Sequence, residues 1–372
     1  MKGGRSGWAL AGVAALIVVL VAGSVLLWQR PDGRDTSTAD DLVTSDGTGL
    51  RLNGLPWWPT GFNAYQLATD WSINAGCGAQ VNLDQYFGAL PPHSLTRFSL
   101  FAPSAVRADD GTIDFRAADA VFDAAARHGQ LVLPVLSSGD GACDGGSFKD
   151  EGWYADGWRS LPVSPHGTFA DWVRTAVGRW KDAPALAGWT ATGEPEPGRC
   201  VGDGDCHSWR NRSCPADANA VLRRFFDDTG ALIRSVDPRH LIFAGLLGGD
   251  QCGVAGDGFS RLGESPGIDV LEVHDYSPSA PTTVPASATV SARISQARAL
   301  GKPVVITEIG EYGGSCLPLP DRAARVRAAI DLVRAEGAAG ALAWSFVPDP
   351  RPTECTYDIG PGDPLWPRLT DR

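Results

Sequence analysis

The sequence predicts an α/β protein, a (β/α)8 TIM barrel, preceded by an N-terminal transmembrane helix and a short β-hairpin. Three observations carry the prediction. Eight short apolar runs of strand length alternate with segments of helical periodicity. Their combined span, roughly 250–330 residues, is that of such a barrel. Glutamates close two of the runs, at Glu194 and Glu308, and the C-terminal ends of barrel strands are where this architecture keeps its chemistry. A doubly wound sheet is the alternative, but no Gly-rich dinucleotide fingerprint follows the first strand.

Composition sets the outer limits. The 372 residues are 43% hydrophobic, enough for a sizeable core. A net charge of −11 argues against a nucleic-acid partner, whose backbone calls for clustered Lys and Arg. Residues 1–7, with Lys2 and Arg5, read as a cytoplasmic tail. No charge falls between Trp8 and Trp28, a stretch as long as the roughly 20 residues a bilayer-spanning helix needs. A Trp at each end suits the headgroup level. A cleaved signal peptide, with small residues at Ala22 to Ser24, is the alternative; the apolar run outlasts the ~7–15 residues of a signal core and favours an uncleaved anchor. The polar residues 29–43 read as a flexible linker, and 44–372 as the catalytic domain. At its start, Leu42 to Leu55 carries Asp-Gly and Asn-Gly turns between short apolar runs, a hairpin signal for a small lid at one end of the domain.

Strands are expected near Trp58–Asn63, Leu95–Phe101, Leu131–Leu136, Ala185–Thr190, Leu241–Leu246, Ile268–His274, Val304–Glu308 and Ala341–Phe346. Helical spacing is clearest in three segments. Phe115 to His128 sets Ala118, Val121, Phe122 and Ala125 on one face. Asp217 to Val236 does so with Val221, Leu222, Phe225, Phe226, Leu232 and Ile233. Arg322 to Glu336 has Val326, Ile330 and Val333, followed by Gly337 as a stop.

Eight cysteines, none before residue 77, suit four disulfides in an oxidising compartment. Each lies in a segment that follows a strand, on the face that would carry the site. Three fall in the insert Gly198 to Pro215, so at least one of these must bond outside it if all are paired. A zinc site from Cys200, Cys206, His207 and Cys214 is the rival, weakened by the absence of a Cys-x-x-Cys pair.

The chemistry concentrates in two strand ends. An apolar lead from Ala185 to Trp189 delivers Glu194, and Pro195 then stops sheet pairing. Lys302-Pro-Val-Val-Ile-Thr-Glu-Ile-Gly310 delivers Glu308. Two carboxylates so placed are what acid-assisted cleavage of a glycosidic bond needs. Alone, either Glu would more often be solvated surface, and a lone His a satisfied polar residue; the pairing on strand ends favours function. Strand alternation turns Glu272 inward wherever His274 points inward. It then needs a partner, for which Arg97 is a candidate. Trp57, Trp58, Trp71, Trp153, Trp158 and Trp209 lie near loops, where they could stack on sugars or simply fill core.

These residues resemble clan A glycoside hydrolases, family 5 in particular, over about residues 44–365. The motifs are Thr-Gly-Glu-Pro195 on strand four, Ile-Thr-Glu-Ile-Gly310 on strand seven, Gly61-Phe-Asn-Ala-Tyr-Gln-Leu67 on strand one, Arg97, His274-Asp-Tyr276 and Trp344. The resemblance implies a retaining mechanism, with Glu194 as acid/base and Glu308 as nucleophile. Arg97, His274, Tyr276, Trp344, Asn63 and Tyr65 would bind substrate. Arg97, His274 and Tyr276 would keep Glu308 ionised, while burial and the charge of Glu308 would raise the pKa of Glu194. No cofactor, metal or protein partner is implied. Gly193 departs from the family's Asn, whose side chain meets the sugar 2-hydroxyl. The expected protein is a single-pass membrane glycosidase facing outward and cleaving a β-linked polysaccharide or oligosaccharide. A carbohydrate-binding pseudoenzyme on the same barrel is the second reading, and secretion after signal cleavage the alternative location. A hydrolase of another class is disfavoured, since neither Gly-x-Ser-x-Gly nor His-Glu-x-x-His occurs.

Overall fold

The computed structural model describes residues 42–202, 205–276 and 289–370. Eight parallel strands alternate with eight helices: β1 (Thr60–Asn63), α1 (Leu83–Ala89), β2 (Leu95–Ser99), α2 (Arg116–Arg127), β3 (Leu131–Val135), α3 (Phe169–Trp180), β4 (Gly188–Thr190), α4 (Ala218–Val236), β5 (Leu241–Phe243), α5 (Gly258–Gly263), β6 (Leu271–Asp275), α6 (Val290–Ala299), β7 (Val304–Gly310), α7 (Leu319–Glu336), β8 (Gly340–Trp344) and α8 (Leu365–Thr370). The sheet runs β5-β4-β3-β2-β1-β8-β7-β6, and a parallel bridge between Phe243 and Val270 joins its ends. This is a closed (β/α)8 barrel, and the doubly wound alternative falls away.

All eight expected strands form. The three helices expected from periodicity form as well, within a few residues of the expected bounds. Helix α7 begins at Leu319, earlier than expected, because Pro320 sits in its first turn, where a missing N–H leaves no bond unmade. Gly337, at φ 97°, ends it in the left-handed conformation that glycine adopts without a Cβ clash.

The hairpin is a three-stranded meander over Val43–Asp46, Gly49–Leu52 and Leu55–Trp57. Its second turn is Asn53-Gly54, with both φ values positive (52° and 78°), as a two-residue hairpin turn demands. Val43, Leu50 and Leu52 are buried with Leu95, Leu131 and Leu241, the first residues of their strands. The meander therefore plugs the N-terminal end of the barrel, opposite the tips that carry Glu194 and Glu308.

All eight cysteines are paired, and none of those sulfurs is a free thiolate for zinc. His207 instead bonds Asp205 at 2.7 Å. Cys77–Cys143 ties the segment after β1 to that after β3. Cys200–Cys206 closes within the segment after β4. Cys214–Cys252 leaves that segment for the one after β5, and Cys316–Cys355 joins those after β7 and β8. Residues 1–41, including the expected tail, the Trp8–Trp28 span and nearly all of the linker, lie outside the described residues. Among the described residues no helix is long and apolar enough to cross a membrane.

Candidate active site

One layer below the strand tips, Glu272 of β6 is fully buried and points into the barrel. It accepts hydrogen bonds from the Thr190 hydroxyl (2.9 Å), the Gly245 amide (2.8 Å) and the Thr307 hydroxyl (2.8 Å). Arg97 Nε stands 3.3 Å from its other side, so the partner anticipated for this Glu is the one found. The β6–β7 register slips between Val273 and His274: Val273 pairs with Ile306, but His274 pairs with Glu308. Thr307 is the additional residue of this bulge. Bulges re-aim side chains beside active sites, and here both Thr307 and Glu308 reach groups inside the barrel.

Glu308 is only 4% exposed. Arg97 Nη1 donates to its Oε1 at 2.7 Å, and the Tyr276 hydroxyl donates to its Oε2. Asn63 accepts from the same Arg97 nitrogen at 3.1 Å and donates to the Thr307 carbonyl. Glu194 arrives from the other side of the mouth, with its backbone in the left-handed region at φ 51°. That geometry is held by bonds on both flanks: Gly193 N to Ser137 O, Gly139 N to Gly193 O and Glu194 N to Gly245 O, each 2.8 Å. His274 Nδ1 lies 2.6 Å from Glu194 Oε1 and 3.4 Å from Glu308 Oε2, and one donor atom from each of the three residues falls within 4.8 Å of the others. These three are the one cluster among the described residues with metal-ligand spacing. The Arg97 guanidinium against Glu308 opposes a second positive charge there.

Burial pushes the Glu308 carboxyl above its ordinary range, against the pull of His274 and Arg97. Burial would lower His274, but the charge of Glu308 and the bond and charge of Glu194 outweigh it and raise the imidazole. Both carboxyls run contrary to expectation, in which Arg97, His274 and Tyr276 keep Glu308 ionised and Glu194 is raised. Burial opposes ionisation of Glu194, yet the His274 hydrogen bond and the charges of His274 and Arg97 prevail, and its carboxyl falls below the usual value. Sequence placed His274 with Glu308; in the structure its hydrogen bond goes to Glu194. Tyr276 is raised far above an ordinary phenol, by burial first and then by Glu308, so it stays a donor.

A cleft of about 630 Å³ holds Glu194, Glu308, Arg97, Tyr276, Trp344, Asn63 and Tyr65 in its lining, with His274 buried beneath. All eight sequence-identified residues therefore meet in one place. Tyr65 and Trp344 stack with ring centroids 5.6 Å apart. Glu196 and Glu311, two residues beyond Glu194 and three beyond Glu308, are the other acidic candidates of these strand ends and do not line the cleft; Glu196 pairs with Arg212 at 2.7 Å, and Glu311 lies 3.8 Å from Arg325. Of the two roles open to the loop tryptophans, the structure favours packing over sugar stacking. Trp57 packs on the barrel plug, Trp58 bonds the Ala338 carbonyl, Trp153 and Trp158 are core, and exposed Trp71 stands off the cleft. The side chain of Trp209 is not described. Sequence reasoning missed Tyr312, Tyr357, Arg351 and Asp358, which line the cleft from the segments after β7 and β8. Cys316 and Cys355 beside them were the available signal.

No family model matches the chain. It is 26% identical over 296 residues to a probable mannan endo-1,4-β-mannosidase C of Aspergillus terreus, covering 70% of this chain and 69% of that protein. Mannan endo-1,4-β-mannosidase 7 of Arabidopsis thaliana is 25% identical over 285 residues, with 66% and 60% covered. Among solved structures, the endo-1,4-β-mannanase of Rhizomucor miehei aligns at a TM-score of 0.63 and 18% identity, covering 88% of this chain and 97% of that one. The fold is thus shared with solved β-mannanases.

Proposed function

We propose that this chain, an O-glycosyl hydrolase, cleaves internal β-1,4 bonds of a mannan-type polysaccharide with retention at the anomeric carbon. The observation that carries the reading is the approach of Glu194 and Glu308 oxygens to within 4.8 Å across one cleft. Retaining enzymes keep their carboxyl groups about 5–5.5 Å apart, whereas inverting ones leave about 6.5–9.5 Å for a water. The names of the relatives point to mannan and to internal cleavage.

In the first step the Glu308 carboxylate attacks the anomeric carbon. The bond to the leaving oxygen breaks, and that oxygen takes a proton from Glu194. Glu194 receives this proton along its 2.6 Å hydrogen bond from His274 Nδ1. Arg97 and Tyr276 hold both Glu308 oxygens in place for attack. In the second step Glu194, now a carboxylate, takes a proton from water and passes it back to His274 Nδ1 along the same hydrogen bond. The resulting hydroxide displaces Glu308 from the anomeric carbon, and two inversions give net retention.

A sugar-binding barrel without turnover is the second reading, favoured by one observation. Gly193 offers no side chain to a substrate, and the nearby Arg97 Nη2 has no hydrogen-bond partner. We also place the catalytic domain outside a membrane, anchored through residues 8–28; the four disulfides support the oxidising side.

Hydrolysis of a glycan panel by residues 42–372 tests the activity, with product anomers read by NMR. Glu308→Ala should abolish turnover, and azide should restore cleavage with inverted products. Glu194→Ala should still form the covalent intermediate from an activated aryl glycoside, with azide accelerating its breakdown. Binding of mannan without cleavage by the wild type would hand the case to the second reading.

A further inference from the structure

We propose that Glu272 is a positioning residue for the nucleophile: it holds Arg97 in place and shares the guanidinium charge with Glu308. The inference rests on the hydrolase reading above and deepens it. Glu272 lies on β6, while three of its four partners come from other barrel strands: Thr190 on β4, Thr307 on β7 and Arg97 on β2. The fourth is the Gly245 amide just beyond β5. Three of these partners also border the reacting groups. Thr307 precedes Glu308, and the Gly245 carbonyl holds the Glu194 amide. Arg97 places Nε 3.3 Å from Glu272 as an ion pair without a hydrogen bond and donates Nη1 to Glu308, so one guanidinium stands between two carboxylates.

A carboxylate with no exposure at a barrel centre is expensive unless paired and fully bonded. A threonine or leucine would fill the position without that demand. Glu272 meets the demand with three hydrogen bonds and one cation. The consequence falls on Glu308, which shares its cation with a second carboxylate. It is therefore less stabilised as an anion, and more nucleophilic, than if it owned the guanidinium alone. The other charged or titratable groups facing Glu308 are His274 and Tyr276 from β6 and the residue beyond it, and Glu194 from beyond β4. None of these three groups hydrogen-bonds Glu272, whose partners are Thr190, Gly245, Thr307 and Arg97.

Glu272→Gln keeps the shape and removes the charge, so Arg97 belongs wholly to Glu308. The acidic limb of kcat/KM on mannan should move to lower pH by about one unit, as expected for a charge change at this range, and kcat should fall about tenfold with little change in KM. The alkaline limb, set by His274 and Glu194, should move less. Thr190→Val is the companion variant: it removes a hydrogen bond to Glu272 but keeps its charge. It should lower the melting temperature and leave the acidic limb in place. An acidic limb unmoved in Glu272→Gln, or moved equally by Thr190→Val, would overturn the inference. A wild type that cleaves no glycan would instead overturn the hydrolase reading itself.

Discussion

At the residue scale the site is a distribution of few protons over close groups. On the proposed assignment Glu308 must be ionised to attack, and its carboxyl is raised, so activity should fall with acid at a pH above the ordinary carboxylate value. On the same assignment the proton for the leaving group resides on the His274–Glu194 pair. His274 is raised, so activity should persist above the ordinary imidazole value of about 6.5 before falling. The expected kcat/KM profile is a bell with both limbs displaced upward, and the two limbs belong to coupled groups rather than to single residues. His274→Gln should move the alkaline limb; a limb that stays where it was would remove His274 from the proton path. The backbone at Glu194 supports a separate expectation. A left-handed conformation costs an L-residue roughly 1–2 kcal/mol, and glycine escapes it. Glu194→Gly should be inactive yet melt higher than the wild type in calorimetry, because relief of the backbone is expected to outweigh the hydrogen bond lost by buried His274, a net value of about 0.5–1.5 kcal/mol. A lower melting temperature would contradict this. Gly193→Asn should fold, since a Cβ there meets Arg97 Nη2 at 3.4 Å and Val135 at 3.5 Å, both ordinary contacts. Its amide oxygen can accept from the unpartnered Nη2, and kcat/KM on mannan should rise.

At the scale of elements, three disulfides tie one loop of the mouth to another, and Cys200–Cys206 closes within a single loop. Cys77 and Cys143 both line the cleft. Replacing both by Ser should lower stability by about 4 kcal/mol on the loop-entropy model for a 66-residue separation, and raise KM for polysaccharide. A loss of stability with KM unchanged would assign the bridge to the fold alone. Much of this layer was legible in the sequence. Apolar runs bounded by turns marked all eight strands, because strands buried on both faces carry uninterrupted Val, Ile, Leu and Ala. Three helices were legible from their apolar faces, while α3, which buries an equally clear one, and α1, α5, α6 and α8 passed unspecified. The Glu-Pro break and the Thr-Glu-Ile-Gly run marked the two strand ends. Register was not legible. The bulge at Thr307 and the left-handed Glu194 arise from pairing between segments distant in the chain. They decide which carboxylate His274 reaches, and so the direction of two pKa shifts. The loop tryptophans illustrate the same limit: an indole in a loop carries no mark that separates core from cleft.

At the scale of the molecule, the barrel has one end devoted to packing and one to chemistry. The meander closes the first with Val43, Leu50 and Leu52. Leu52→Ala should cost about 2–5 kcal/mol by cavity formation, yet leave kcat/KM intact in the folded fraction, as the opposite end is untouched. Changed kinetics would show that the two ends are coupled. Membrane fractionation and protease treatment of intact cells address the residues before 42: the barrel should sediment with membranes and be cleaved from outside, and a mature chain starting near residue 25 would favour secretion. The left-handed turn beneath Glu194 finally bears on how such a barrel changes over generations. A lineage that kept sugar binding and abandoned turnover would gain stability from any mutation to Gly or Asn at that position, and drift would carry it there. A glutamate standing where the backbone prefers glycine is what continued selection for bond cleavage preserves, and it would be among the first residues surrendered once that selection stopped.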